Sequence, residues 1–353
     1  MTDTSSIGPQ WPPLPTSHRR VKGIDNRGVI RDITGLGRLL DDLAVLRREL
    51  AAAEATRLSV RAVVADDVLE AGADGLKPWG EALIPLGGGR RELEGHSLVY
   101  LGWNDPERAS SGEDLDRALG YVDRAAKRGR RDASGILHRT EAGGYRLWVP
   151  TQAERHGGRR VLAGVAALYE RFGWTADETG QILAHPSSLI ALGEHGGEIV
   201  GAALVEPSRV ELGDGVELRI AEFTEAATRG DHRGRGLYSA LCLTLMEELH
   251  RLSSADAFLD GRLDVAFGES SGQDLGVLMA ATHLGRTFSL RSPLVQRLGW
   301  KGYLPQHVPI ADAPRSTPYN DLFPTFISPA DLERFVAGTS GVAAAGQGSE
   351  AAI

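Results

Sequence analysis

The sequence predicts a mixed α/β (α+β) protein made of two successive blocks. Stretches with leucines at helical spacing alternate with short runs rich in branched residues, and this alternation is typical of α/β layers. Glycine pairs separate several of the short runs, as expected for turns between strands. The chain has 353 residues, which at about 100–200 residues per domain indicates two domains.

The first block is predicted to span residues 25–150, after a flexible proline-rich lead at residues 1–24. Six leucines between Leu36 and Leu50 recur at helical spacing and predict a helix over residues 35–55. A helix is also expected over residues 115–126. Three strands are expected between the helices, with a turn at Gly87–Gly89, and they cover residues 58–64, 82–86 and 97–101.

The second block is predicted to span residues 155–310. It begins with a helix near Leu162–Tyr169, and a hairpin follows, turned by Gly196 and Gly197. A long strand, a glycine-rich turn, an apolar helix, a further strand and a further helix come next, at residues 217–228, 229–236, 237–252, 257–267 and 274–284. Residues 311–353 form a C-terminal extension, and the Gly/Ala/Ser-rich composition of residues 338–352 predicts disorder.

Composition restricts the class of partner. The formal net charge of -8 argues against nucleic acid and favours a small, cationic molecule. The single cysteine, Cys242, excludes an internal disulfide framework, and the histidines show no metal-ligand spacing, so no metal is expected. No apolar run approaches the roughly 20 residues of a membrane span, and the polar N-terminus is unlike a signal peptide. We therefore expect no membrane partner and a cytoplasmic location.

The segment from Ile220 to Tyr238 carries the strongest chemical signal. A predicted strand runs into His232-Arg233-Gly234-Arg235-Gly236-Leu237, and an apolar helix begins there. The two glycines let the backbone approach a ligand closely, and the first turn of a helix offers unpaired N–H groups and a positive dipole end. Such a strand–turn–helix is suited to a pyrophosphate, although it also occurs as a plain connection.

This segment resembles the signature of the GNAT superfamily of N-acetyltransferases, (Arg/Gln)-x-x-Gly-x-(Gly/Ala). Arg233 and Gly236 occupy the first two specified positions, whereas Tyr238 stands where the family has Gly or Ala. The resemblance implies that acetyl-CoA binds at Arg233, Gly234, Arg235, Gly236, Leu237 and Tyr238.

A narrower resemblance is to the β-lysine N-acetyltransferases. Residues 221–228 and 168–172 are similar to segments of those proteins, which also carry an N-terminal α/β half. The resemblance implies a GNAT fold in the C-terminal half, preceded by a smaller, degenerate GNAT-like half without its own cofactor loop. It also implies an amine acceptor such as an amino acid or a β-amino acid.

Acetyl transfer to an amine requires a neutral nucleophile. An alkylamine with a pKa of about 10.4 is almost entirely protonated at pH 7, so a base is needed. Glu222 and Glu225 lie on the strand before the motif, and strand alternation predicts that they face opposite sides. Glu222 lies eleven residues before Arg233, an offset at which several GNAT enzymes have their base, so Glu222 is the first candidate and Glu225 the second.

The resemblance also assigns the groups around the thioester. Backbone N–H groups of Ala226, Ala227 and Thr228 would bind its carbonyl oxygen. The tyrosine that protonates the leaving thiolate in many GNAT enzymes corresponds here to Ala281, so that acid is missing. Tyr238, Ser270, Ser271 or solvent are the alternatives.

Two other functions remain open at this stage. The first is a tandem-GNAT aminoacyl or peptidyl transferase that takes its donor from tRNA, which the acidic balance and the intact phosphate loop oppose. The second is an acetyl-CoA-binding sensor without catalysis, which the missing acid at Ala281 favours and Glu222 opposes. The sequence does not identify the acceptor amine or the oligomeric state.

Overall fold

The fold is mixed α/β, as the sequence predicts. The strands form a four-stranded and an eight-stranded sheet in the part of the chain that the structure describes. None of the helices in that part is both long and apolar enough to cross a bilayer. The computed structural model describes residues 24–31, 44, 57–87, 90–104, 112–128, 134–170, 174–185, 188–212, 216–306 and 320–347.

The smaller sheet is N-terminal and has the order β1-β2-β4-β3. Strand β1 pairs in parallel with β2, and the other neighbours are antiparallel. The three predicted strands are confirmed, whereas β1 and the short helices α1 and α2 that follow β2 were not predicted. The elements are β1 (Ile24–Arg31), β2 (Arg57–Ala65), α1 (Asp66–Ala71), α2 (Ala73–Leu76), β3 (Gly80–Leu86) and β4 (His96–Asn104).

Two helices, α3 (Gly112–Arg128) and α4 (Ser134–Ala142), connect the small sheet to the larger one, whose order is β10-β12-β9-β8-β7-β6-β5 with β11 paired to β12. Its elements are β5 (Arg146–Trp148), α5 (Gln152–Gly157), α6 (Arg159–Tyr169), α7 (Ala176–Ala184), β6 (Leu189–His195), β7 (Glu198–Glu211), β8 (Glu217–Thr228), α8 (Leu237–Ser254), β9 (Val265–Ser271), α9 (Leu275–His283), β10 (Thr287–Phe288), α10 (Pro293–Leu298), β11 (Leu304–Gln306), β12 (Asn320–Ile327) and α11 (Pro329–Gln347).

The two sheets share a core. Tyr100 and Ile84 of the small sheet pack with Ile220 and Phe267 of the large one. The opposite face of the small sheet packs against α10 and Trp300, and Trp300 fills the space beside Gly80. Strand β5, which belongs to the first predicted block, pairs with β6 of the second. The division of the chain near residue 150 therefore stays a prediction, and three apolar clusters contain residues of both blocks.

Strand β8 changes its pairing halfway along its length. It is parallel to β9 as far as the pair Phe223 and Gly268, and no further pairs follow in that ladder. On its other side it pairs with β7, where the register shifts because two residues, Thr224 and Glu225, lie opposite one residue of β7. Such a bulge bends a strand and changes which way its side chains point. Beyond Phe223, β8 therefore has no paired strand on its β9 side among the described residues, and it stays unpaired on that edge as far as the glycine turn. We call the space beside this unpaired edge the gap.

Several predictions differ from the structure at the edges of elements. The helix predicted over residues 35–55 lies outside the described residues except for Ala44, as do Gly88 and Gly89 of the predicted turn. The strand expected within residues 257–267 begins only at Val265. Helix α11 extends to Gln347 and so includes much of the segment predicted to be disordered. Alanine, frequent in that segment, is the strongest helix former, and this outweighs the glycines.

Candidate active site

The glycine turn lies between the end of β8 and the start of α8. Gly234 and Gly236 have φ values of +74° and +81°, which favour glycine. A Cβ atom added at either position would meet no atom within 4 Å, so the space in front of the turn is open. Gly236 is the N-cap of α8 and provides no side chain to bond the first N–H groups of the helix. The turn therefore presents unpaired backbone donors to open space, as an anion site requires.

A network of polar side chains on the protein side of this turn supports it. Arg229 pairs with Asp231 at 2.8 Å and with Glu198 at 2.7 Å. It also donates from Nη2 to Nε2 of the buried His232 at 2.9 Å. Because arginine can only donate, that imidazole nitrogen must be the unprotonated one, and Nδ1–H is left to donate to the Tyr145 hydroxyl at 2.7 Å. His232 is thus a neutral, buried support of the glycine turn.

The pKa of His232 is consistent with that role. Burial lowers it below the ordinary value, the neighbouring Arg229, His195 and Arg235 lower it as well, and Asp231 acts in the opposite direction. The neutral imidazole therefore supports the loop without adding a charge to it at neutral pH.

The side chains of the predicted cofactor residues point in different directions. Arg233 donates to the carbonyl of Thr228 at 3.3 Å and Arg235 donates to that of Asp231 at 3.1 Å; both contacts lie on the exposed side of the turn. Leu237 is buried in the core against Gly193 and Gly201, so only its backbone is available to a ligand. The Tyr238 side chain is directed into the protein, where its hydroxyl interacts with Cys242 and Arg286.

The bulge in β8 corrects one expectation about the two candidate carboxylates. Before the bulge, Ile220 packs in the core shared with the small sheet; after it, Ala227 packs against α6 on the same face of the large sheet. Even-numbered residues point to this face before the bulge and odd-numbered residues after it. Glu222 and Glu225 therefore share one face, although uninterrupted alternation places them on opposite faces.

Glu222 accepts two hydrogen bonds from Arg61 of β2. Nη1 lies 3.0 Å from one carboxylate oxygen and Nη2 lies 3.2 Å from the other, and the Glu222 residue is 8% exposed. Glu269 lies 3.7 Å from the same guanidinium, which also stacks on the rings of Tyr100 and Phe267. Burial opposes the charge on Arg61, but the carboxylates outweigh it and raise its pKa above the ordinary value.

Glu225 lies near Tyr169 of α6. The Tyr169 hydroxyl donates to the Glu225 backbone carbonyl at 3.1 Å. Burial, followed by the charges of Glu225 and Glu206, raises the pKa of Tyr169 well above its ordinary value. Glu206 is directly opposite Glu222 in the β7–β8 ladder. This face of β7, β8 and β9 therefore carries the carboxylates Glu206, Glu222, Glu225 and Glu269, and two of them, Glu222 and Glu269, lie within 4.0 Å of the Arg61 guanidinium.

Sequence reasoning missed Arg61 because it lies in the other block. Its strand was predicted, but no local pattern indicates that its side chain meets Glu222, 161 residues away. The three backbone donors assigned to Ala226, Ala227 and Thr228 lie beyond the point at which β8 leaves β9. Their ladder with β7 occupies one edge of the strand, and the other edge faces the gap.

No family model and no curated protein sequence matches this chain. Among solved structures, it is similar to yncA, a putative acetyltransferase from Salmonella typhimurium with its cofactor acetyl-CoA, at 13% identity over 52% of this chain and 93% of that one (TM-score 0.36). It is also similar to the ribosomal-protein-S18-alanine N-acetyltransferase from Escherichia coli, at 12% identity over 52% and 93% (TM-score 0.35). A GNAT-family acetyltransferase from Streptococcus pneumoniae has 12% identity over 52% and 99% (TM-score 0.35).

Proposed function

We propose that this protein is an acetyl-CoA-dependent N-acetyltransferase of the GNAT type that acts on a small amine. One observation carries the proposal. Strand β8 leaves its parallel partner β9 after Phe223 and ends in a glycine turn with open space before the uncapped start of α8. A gap between parallel strands that leads to an anion site suits a long thioester with a diphosphate at its far end.

The residues present fit acetyl-CoA. The N–H groups at the start of α8 would bind the pyrophosphate, with Arg233 and Arg235 on the exposed side of the turn. The edge of β8 that faces the gap would bond the amide groups of the pantetheine arm, as an added strand would. Bound there, acetyl-CoA supplies an activated acyl group. N–H groups of the same edge, among Ala226, Ala227 and Thr228, would stabilise the charge that develops on the carbonyl oxygen.

The acidic face of β8 supports an amine as the acceptor. Glu206, Glu222, Glu225 and Glu269 lie on one face of the sheet beside the end of β8, and carboxylates attract an ammonium group. Glu222 or Glu225 would take the proton from the ammonium group. The two carboxylates share one face of the sheet, so both remain candidates. A diamine or a β-amino acid such as β-lysine is the first acceptor to test.

Isothermal titration of acetyl-CoA tests the binding part of the proposal. We expect one site per chain, because the small sheet has no Arg-x-x-Gly-x-Gly loop of its own. A panel of amines with acetyl-CoA, followed by thiol release, tests the transfer. Absence of binding would overturn the proposal, and two equivalent sites would refute the single cofactor loop.

A non-catalytic sensor is the second candidate, and the alanine at position 281 favours it. Its signature would be tight binding of acetyl-CoA with no thiol release for any amine in the panel. Thiol release that depends on the amine would exclude it.

A further inference from the structure

Arg286 is a buried arginine at the end of α9. Only 4% of the surface of Arg286 is exposed. Helix α9 ends at His283, Gly285 turns the chain with a φ of +74°, and the Arg286 amide donates to the carbonyl of Ala281 at 3.1 Å. Arg286 is thereby tied through its backbone to Ala281, which has no functional group of its own, and its side chain is buried in the protein.

The guanidinium of Arg286 lies at the point where β8 and β9 separate. Its Cζ atom is 4.9 Å from the centroid of the Phe223 ring. A Cβ atom added at Gly268 would lie 2.6 Å from the Nη1 atom of Arg286 and 2.9 Å from the Phe223 carbonyl oxygen. Phe223 and Gly268 are the last registered pair of the parallel ladder. The charge therefore lies at the closed end of the gap, and the glycine at position 268 makes room for it.

This guanidinium has unused donors. Its Nε and Nη2 atoms are buried without a hydrogen-bond partner, and no carboxylate lies within 4.0 Å of it among the described residues. Its polar neighbours are the Tyr238 hydroxyl and the Cys242 thiol. Burying a charge without a counter-charge is unfavourable, so the arrangement is expected to be completed by an anion in the working protein.

We propose that Arg286 stabilises the thiolate that leaves when the thioester is cleaved, in place of the acid missing at Ala281. This inference rests on the proposed function. As the amine nitrogen attacks, a C–N bond forms and the C–S bond breaks, and the electron pair of that bond goes to sulfur. The proton of the amine goes to a carboxylate or to water. Arg286 donates hydrogen bonds to the sulfur as its negative charge develops.

Tyr238, whose hydroxyl interacts with Arg286, is a poorer candidate for this task. Burial raises its pKa, and Cys242 raises it further, while Arg286 acts in the opposite direction. A phenol that is reluctant to ionise does not readily give its proton to a thiolate whose conjugate thiol has a pKa of about 8.5. A fixed positive charge needs no proton transfer, and so it can serve where the tyrosine cannot.

The ionisation of bound CoA tests the proposal directly. Thiolate absorbs in the ultraviolet, and Cys242 is the chain's single cysteine, so Cys242→Ala protein leaves CoA as the one thiol. In that background, we expect the pKa of bound CoA to lie at least about one unit below the free value of about 8.5. Arg286→Met and Arg286→Gln should return it to about the free value or above, and Arg286→Lys should give an intermediate value. Arg291→Met, which removes an exposed arginine five residues away, should leave it low.

Activity gives a second measurement. The uncharged Arg286 variants should lose about 10²- to 10³-fold in kcat, as when one electrostatic stabiliser is removed.

The same CoA pKa in parent and Arg286 variants would overturn the inference while leaving the proposed function intact. A second result would also overturn the inference. If the parent binds succinyl-CoA more tightly than acetyl-CoA, and Arg286→Met removes this preference without changing the thiol pKa of CoA, then Arg286 binds an acyl carboxylate. If the parent binds no CoA at all, the proposed function itself fails. If Arg286→Met does not fold, the thiol pKa of CoA is compared between Arg286→Lys and Arg286→Gln, and equal values would overturn the inference.

Discussion

Arg61 and Glu222 join the two sheets through two parallel hydrogen bonds, Nη1 to Oε2 at 3.0 Å and Nη2 to Oε1 at 3.2 Å. Both side chains are largely shielded, with 14% and 11% of their surface exposed. A guanidinium and a carboxylate in this planar arrangement form the stronger kind of ion pair. The contact connects a strand of the N-terminal sheet to Glu222, the first candidate for the base, so a variant at either residue is expected to affect stability.

Removing one partner of this pair should destabilise the protein. We expect Arg61→Met to lower the free energy of unfolding by about 3 kcal/mol, because a shielded carboxylate loses its counter-charge. Glu222→Gln should also destabilise, and the double variant should lose less than the sum of the two. Urea unfolding measures all three. Arg262→Met, which breaks an exposed pair with Asp256, is the control and should have a much smaller effect. Additive losses would show that Arg61 and Glu222 are not energetically coupled.

The base is identified by neutral variants of the two carboxylates. If Glu222 takes the proton, Glu222→Gln should lower kcat/KM at pH 7 by about 10²- to 10⁴-fold, with acetyl-CoA affinity little changed. Raising the pH should partly restore the rate, because more amine is then neutral. A loss confined to Glu225→Gln would assign the role to Glu225. If neither variant loses activity, base catalysis from this strand is wrong.

The contact with Arg61 predicts a pH effect that a structural role alone would not produce. If Glu222 is the base, its carboxylate titrates beside the positive charge of Arg61, 3.0 Å away. Removing a nearby positive charge makes it harder for a carboxyl group to lose its proton. We therefore expect the acidic limb of the pH profile of kcat/KM to move to higher pH in Arg61→Met. A profile that loses height without moving along the pH axis would count against Glu222.

The glycine turn can be tested with a matched control elsewhere in the fold. Gly236 and Gly95 both have positive φ, +81° and +67°, and both face open space. Leucine at either position should impose similar backbone strain. We expect Gly236→Leu, and likewise Gly234→Leu, to weaken acetyl-CoA binding by at least about tenfold. Gly95→Leu should lose similar stability and retain affinity by calorimetry. Equal affinity in all three variants would remove the turn from the binding site.

His232 predicts a dependence of stability on pH. Its pKa in the folded protein is lowered, so the neutral form is favoured there and the stability it contributes is complete above the unfolded value of about 6.5. That contribution is lost as pH falls below about 6.5 towards the lower folded value. Urea unfolding at a series of pH values should therefore show a steeper decline for the wild type than for His232→Phe, which does not titrate. Parallel curves would contradict a buried neutral imidazole.

Much of the fold follows from local patterns. The glycine turn at Gly234 and Gly236 and the apolar helix after it are where sequence reasoning places them, because glycine conformation and helical spacing act over a few residues. Strand β8 also has the predicted bounds, Glu217–Thr228. By contrast, β1 and β12 lack a distinctive local pattern, since a strand is completed by neighbours that are distant in sequence.

The candidate site depends on relationships that no local pattern contains. Glu222 and Glu225 were identified from the sequence, yet the bulge in β8 decides that they share a face. The contact with Arg61 and the placement of Arg286 beside Phe223 come from packing between distant segments. The sequence by itself determined the turn and the helix that begins there, because those depend on short-range sterics and hydrogen bonds. Only the tertiary structure decided which charges meet, because electrostatic interactions act through space between residues far apart in the chain.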